Sequence, residues 1–187
     1  MSKQDLSDHL INQCKAKDRK AIQQLYFAKF QDFMRISMPY VKEESDAKTV
    51  VNDSFLKILD KMDHLNDVAS FNAWASRIVR NTAIDHLRKT SNYRSHIRLE
   101  EYDENTSNFS NNILSDMNGS DLLGMIQTLE DNERLVFNLF FLEEYSHKEI
   151  SIELRISVEM SRWLLYKARK SFKKIYFESG KVIIGMR

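Results

Sequence analysis

A chain of 187 residues has room for one ordinary domain or two small ones, and 42 % hydrophobic residues supply packed cores. Charged residues at 29 % and a net charge of only +1 exclude both a disordered chain and a globally basic one. Four glycines, one proline and one cysteine argue against a turn-rich sheet protein or an internal disulfide, and for helices in a reducing compartment.

The opening segment, MSKQDLSDHLINQCK, has no apolar signal region. No stretch approaches the roughly 18 apolar residues of a membrane span. The expectation is a soluble, cytoplasmic protein without membrane insertion. Cys14 sits among helical residues and reads as an inert, partly buried thiol.

From 20 to 41, apolar residues recur at helix spacing as Ile22, Leu25, Tyr26, Phe30, Phe33, Met34 and Met38, and Pro39 should kink or end that helix. A second helix is expected from Ser45, taken as its N-cap, with Asp46 in the first turn. Its buried stripe is Val50, Val51, Ser54, Phe55, Ile58, Leu59 and Met62. A third runs from about Phe71 to Lys89 and buries Phe71, Ala75, Ile78, Val79 and Thr82. Arg77, Arg80, Asn81 and Arg88 cluster opposite that face. Arginine can hold phosphate, and asparagine offers a base edge both a donor and an acceptor. The alternative is a surface helix on which Asp85 pairs with Arg88 or Lys89.

Composition changes after Thr90. In ENTSNFSNNILSDMNGS (104–120), nine of seventeen residues are Asn or Ser, a linker composition that buries little. Periodicity resumes at Asp121, with helices expected over 121–128, 132–142, 147–154 and 158–177. The tail KVIIGMR (181–187) is apolar and has no assigned place. The resulting fold class is all-α, as two small helical domains (1–92 and 121–187) joined by a polar linker (93–120).

The segment YSHKEISIELRISVEMSRWLLYKARKSF (145–172) reads as a helix-turn-helix in the C-terminal domain. Ser146 caps a short helix, RIS makes the turn, and a basic helix follows. On that last helix Ser161, Leu165, Ala168 and Phe172 share one face. Arg162, Trp163, Tyr166 and Lys167 lie roughly 160° away and are the expected DNA-facing set. A plain helical hairpin with a solvated basic side is the alternative, as is a Trp163 folded back on the linker or the tail. Charge is segregated: 129–160 hold eight acids and three bases, while 160–187 hold eight bases and one acid. Such segregation marks either local phosphate-facing patches or ordinary solvated helix faces.

No catalytic set accompanies these features. His9, His64, His86, His96 and His147 show no metal-ligand spacing with one another or with Cys14. There is no glycine-rich phosphate loop and no nucleophile elbow. The expectation is a non-enzyme with no cofactor and no metal.

FNAWASRIVRNTAIDHLRKT (71–90) resembles the helix of extracytoplasmic-function sigma factors that contacts the −10 promoter element; Phe71, Trp74, Arg77, Asn81, Asp85 and Arg88 carry the pattern. DAKTVVNDSFLKIL (46–59) resembles the preceding helix of that family, which binds the β′ clamp helices of RNA polymerase. Residues 129–172 resemble the C-terminal domain that binds the β flap and the −35 element. The resemblance implies a sigma factor that binds core polymerase and promoter DNA, and an anti-sigma partner that holds it inactive. It implies polymerase binding by Thr49, Asn52 and Asp53, −10 binding by Arg77, Arg80, Asn81 and Arg88, and −35 binding by Arg162, Trp163, Tyr166 and Lys167. A loop such as LNDVAS (65–70) could pocket an unstacked base. The chain departs from the family at several positions. Lys48 and Thr49 stand where acids are usual, and Asn52 replaces a Gln. Arg155 replaces a turn Gly, Glu159 and Met160 replace Gly and Thr, and Trp163 replaces a small polar residue. A helix-turn-helix regulator and a sigma-like adaptor that binds only protein are the competing readings. The long helices 45–62 and 71–89 argue against the regulator, which would usually carry a ligand or receiver domain there.

Overall fold

Helix ends in this chain are set by identifiable local groups. The computed structural model describes the backbone of residues 3–90 and 117–178, and side chains within 8–89 and 117–178. Every α-helix and 3-10 turn named below lies in that range, and no strand occurs among the described residues. The chain divides into two compact units, Met1–Thr90 and Ser91–Arg187.

In the first unit, α1 spans Lys3–Lys15 and α2 spans Arg19–Ser37. Asp18 caps α2 by accepting the Ala21 N–H at 2.9 Å. Pro39 sits in a 3-10 turn, Met38–Tyr40, and ends the helix as its missing N–H requires. The next helix, α3, spans Glu44–Lys61, with Glu44 and Asp46 in its first turn and Lys61 in its last. Its N-cap is Glu43, so the expectation that Ser45 caps it is corrected. Ser45 is already helical, and its carbonyl accepts the Thr49 hydroxyl at 3.1 Å. Two short 3-10 turns, Met62–His64 and Val68–Ser70, lead into α4, Phe71–Thr90.

These helices pack through α3 on α4 and α2 on both. Val50, Val51, Ile58, Ala75, Val79 and Ala83 are fully buried between them. The two hydroxyls in the apolar stripes are buried without penalty. Ser54 donates to Val50 O at 2.6 Å and Thr82 to Ile78 O at 2.8 Å, each one turn back. Periodicity did not single out α1, because its described burial rests on Ile11 and Cys14 alone. Burial, with a smaller effect of Asp18, pushes the Cys14 thiol up to about 11, which makes it inert at neutral pH. Lys15 Nζ donates to Leu65 O at 2.6 Å and ties α1 to the connection after α3.

In the second unit, α5 spans Gly119–Thr128, α6 Asp131–Phe141, α7 His147–Leu154 and α8 Val158–Glu178. Asn118 caps α5 by accepting the Asp121 N–H at 2.8 Å, so that helix starts two residues before its expected start at Asp121. The rest of the linker, His96 and the tail 181–187 lie outside the described residues. The core gathers Met125, Ile126, Leu129, Phe137, Ala168 and Phe172, with Phe137 and Phe172 stacked at 5.1 Å.

Seven consecutive residues of α6, Glu133 to Leu139, are buried, which makes it the central helix of this unit. Arg134 is held there through two of its three guanidinium nitrogens, while Nε is buried without a partner among the described residues. It donates to Leu129 O at 3.1 Å, at the end of α5, and to Asp131 at 2.8 Å. A capping box opens α7: the Glu149 N–H donates to Ser146 Oγ at 3.3 Å, and the Glu149 carboxylate accepts the Ser146 N–H at 2.8 Å. Arg155 closes it in the left-handed region at φ 55°. A helix of 8 residues, a tight turn and a helix of 21 residues thus follow one another as a helix-turn-helix.

Candidate nucleic-acid and protein interfaces

The buried face of α4 fixes what the helix presents outward. With Ala75, Val79 and Ala83 at 0 % exposure, Arg77 and Asn81 emerge on the opposite side, one turn apart, and both are exposed. Neither side chain has a hydrogen-bond or ionic partner among the described residues, so both are available to a ligand. Arg80 and Arg88 are half-buried. Arg88 lies 3.5 Å from Asp85, so the pairing weighed against a DNA role is present at that residue. Trp74 is half-buried against Phe71 at 6.1 Å. The connection 65–70 is shaped by Asp67, whose carboxylate accepts the Ala69 N–H at 3.0 Å and whose carbonyl accepts the Ser70 hydroxyl at 2.7 Å. Asn66, Asp67, Ala69 and Ser70 are exposed immediately before α4 begins.

Thr49, Asn52 and Asp53 all lie exposed on α3. The Thr49 hydroxyl is engaged by the backbone, as noted, and presents its methyl instead. Asn52 Oδ1 accepts a hydrogen bond from Tyr26 Oη at 2.8 Å across to α2. Lys48, which stands where the family carries an acid, pairs with Glu44 at 2.8 Å on the same helix.

On α8 the structure corrects the sequence reading. Trp163 is only 5 % exposed and leaves the DNA-facing set. A large indole gains more from burial than from water, and its face also attracts the Lys167 ammonium, 4.9 Å from the ring centroid. The same ammonium lies 3.4 Å from Glu133, a buried carboxylate of α6. Lys167 thus pairs with an internal acid while its own side chain stays 46 % exposed on the helix surface. Arg162 is exposed and Tyr166 half-buried. Their face continues one turn on to Lys170, which is exposed and which sequence reasoning did not select. Its signal was the spacing 162, 166, 170 on one helix side. Behind this face His147 Nδ1 bonds Ser161 Oγ at 2.9 Å and locks α7 onto α8.

A second feature missed from sequence is an open cleft of about 420 Å3 between α2 and the start of α4, lined by Lys29, Asp32, Arg35, Asn72 and Ser76. Asp32 pairs with Arg35 and lies 3.8 Å from Lys29, so its charges are largely balanced internally. Among the described residues no cluster of three or more His, Cys, Asp or Glu could hold a metal ion, and no helix is long and apolar enough to cross a membrane.

Comparison with known proteins adds the context. Residues 30–93 match the sigma-70 region 2 family, and residues 120–172 match sigma-70 region 4. The chain is 25 % identical over 159 residues to the ECF RNA polymerase sigma factor SigM of Bacillus subtilis, covering 83 % of this chain and 94 % of that one. It is 28 % identical over 141 residues to SigV of the same organism, covering 75 % and 81 %. It is 25 % identical over 181 residues to the sigma-E factor of Salmonella typhimurium, covering 91 % and 94 %. Among solved structures, CnrH in complex with the cytosolic domain of CnrY is similar at a TM-score of 0.47 and 19 % identity, covering 92 % of this chain and 97 % of that one.

Proposed function

With regions 2 and 4 matched in order over more than half of its length, the chain belongs to the extracytoplasmic-function sigma factors, and from that premise we propose how its two units divide the work. The protein is a sigma factor that binds core RNA polymerase, recognises the −10 and −35 promoter elements and directs transcription initiation. It acts by binding alone, in the cytoplasm; joining nucleotides is the chemistry of the polymerase. The first unit docks through α3, with Asn52 and Asp53 toward the β′ clamp helices. Its α4 meets the −10 element, with Asn81 reading a base edge, Arg77 holding phosphate, and Arg80 and Arg88 in support. The exposed residues of 65–70 flank an unstacked base. The second unit meets the β flap and lays α8 along the −35 element, with Arg162 toward guanine and Tyr166 and Lys170 toward the backbone. The connection between the two units acts as a linker that lets both elements be engaged at once. An anti-sigma protein that covers the docking face keeps the factor inactive until its signal arrives.

The observation that carries this reading is the match to both regions in family order. The outward, partnerless Arg77 and Asn81 support the −10 assignment. In vitro transcription on a promoter library, with core polymerase and with or without this protein, tests the reading. Template-selective initiation that depends on the protein is expected. Asn81→Ala should lose activity mainly on templates bearing the preferred −10 base, by about 1–3 kcal/mol. A library transcribed identically with and without the protein would sink the reading.

A further inference from the structure

We propose that Tyr26 and Phe27 of α2, with Leu56 of α3, complete the surface on which core polymerase docks, and that Tyr26 acts there by positioning Asn52. This deepens the docking reading of α3 and rests on it. The argument starts from one hydrogen bond. Tyr26 O–H donates to Asn52 Oδ1 at 2.8 Å. In this arrangement the amide oxygen faces α2. The Asn52 NH2 is then turned outward, and no group among the described residues accepts from it. An oriented, exposed donor calls for an acceptor on the partner, either a backbone carbonyl or a carboxylate.

The orientation is set from within the fold. The Tyr26 ring stands edge-on against Phe55 of α3, at 5.0 Å and 80°, and lies 5.6 Å from the rings of both Phe27 and Phe30. Aromatic contacts of this kind hold the ring and so aim the hydroxyl. Asn52 is one methylene shorter than the Gln usual at this place, and Tyr26 supplies the restraint that keeps its shorter arm directed.

The second observation is independent. Among its described residues the first unit exposes two large apolar side chains, Phe27 at 68 % and Leu56 at 66 %. Both adjoin this bond. Phe27 follows Tyr26 in sequence, and Leu56 lies one helical turn beyond Asn52 on the same side of α3. Apolar side chains left in water beside an oriented donor are the makings of an interface, with an apolar centre and a polar anchor. Lys48 and Glu44 neutralise each other on the same helix, and the exposed Asp53 supplies an acid beside Asn52. The occupant is the polymerase clamp hairpin, met through an apolar ridge and an acceptor for Asn52.

Affinity of the full chain for core polymerase, measured by fluorescence titration, tests the proposal. Phe27→Glu and Leu56→Glu should each weaken binding about tenfold or more. Both sites are exposed, so the melting temperatures should stay at the wild-type value. Tyr26→Phe, which keeps the ring, should weaken binding about three- to tenfold. The same change in an Asn52→Ala background should add nothing, since its effect runs through the amide. Wild-type affinity in both glutamate variants overturns the docking surface. An equal loss from Tyr26→Phe in both backgrounds overturns the positioning role. Asp53→Arg separates the two levels. If the wild type binds core, Asp53→Arg weakens it and the glutamate variants do not, the extension fails while the docking of α3 stands. A wild type that does not bind core defeats the reading beneath both.

Discussion

At the scale of single residues, the side chains of α8 divide by what they touch. Arg162 and Lys170 point outward. Trp163 is turned to the interior of the unit and buried, and the exposed Lys167 pairs with Glu133. Sequence periodicity placed all of 162, 163, 166 and 167 on one side, because an average face is all that a 3.6-residue period resolves. It could not foresee that Trp163 is buried, nor that a buried carboxylate two helices earlier would pair with Lys167. Asn81 and Arg77 were legible for the opposite reason. The apolar stripe beneath them is buried, and among the described residues neither has a partner. A prediction follows for Trp163. Trp163→Ala should destabilise the protein by about 3–5 kcal/mol, as large-to-small changes in a core do, with the −35 base preference unaltered. Lys167→Met should lower the salt slope of −35 binding by about 0.9, the share of one phosphate contact. Thermal melts and binding titrations at two or more salt concentrations check both. A stable Trp163→Ala with a shifted −35 preference would return the indole to the DNA face.

At the scale of elements, the sequence was most legible where a helix end has its own chemistry. Ser146 was visible as a cap because Glu149 follows it at the capping-box spacing, and α7 begins there. The start of α3 was misplaced, because Ser45 is a good capping residue by type while Glu43 takes the position with no side-chain bond at all. Arg155 stands where the family carries glycine, and its φ of 55° explains the glycine. A Cβ in that region is strained, so Arg155→Gly should raise stability by about 1 kcal/mol. At the other end of α7, Ser146→Ala should cost about 1 kcal/mol at neutral pH. That cost depends on pH with a definite sign. The Ser146 hydroxyl, then its backbone N–H, hold the Glu149 carboxyl below its ordinary value of 4.5. A depressed carboxylate lends stability above 4.5 and loses it as pH falls through its folded value. The gap between wild type and Ser146→Ala should therefore be full at pH 6 and close progressively below 4.5. Denaturant titrations at pH 6, 4.5 and 3 measure it, and a gap that widens toward acid would refute the capping assignment.

At the scale of the whole molecule, charge decides when promoter DNA can be bound. The chain carries 28 bases and 27 acids, so its field beyond a Debye length of roughly 10 Å is weak. The average conceals the pattern that matters, which is acids gathered over 129–160 and bases over 160–187. Composition alone shows no DNA-binding protein here, and the position of charge left phosphate-facing patches and solvated faces both open; the motifs in order decided between them. On the proposed reading each unit offers a small reading surface, Arg77 and Asn81 on α4, and Arg162, Tyr166 and Lys170 on α8. One good base contact discriminates by about 1–3 kcal/mol, so neither surface alone supplies the affinity of a specific complex. Holding the two together on polymerase makes the second contact intramolecular and raises its effective concentration into the millimolar range. The free chain should therefore bind promoter duplex no more tightly than a generic site, with a Kd of about 10−4 to 10−6 M near physiological salt. The same chain with core polymerase should prefer its promoter over a scrambled duplex by about 103-fold or more. Fluorescence anisotropy with labelled duplexes, with and without core at about 0.15 M salt, distinguishes the two states. Nanomolar, promoter-specific binding by the free chain would show that α4 and α8 suffice without the polymerase as a scaffold. In that event the dependence on core in transcription would have to come from catalysis alone.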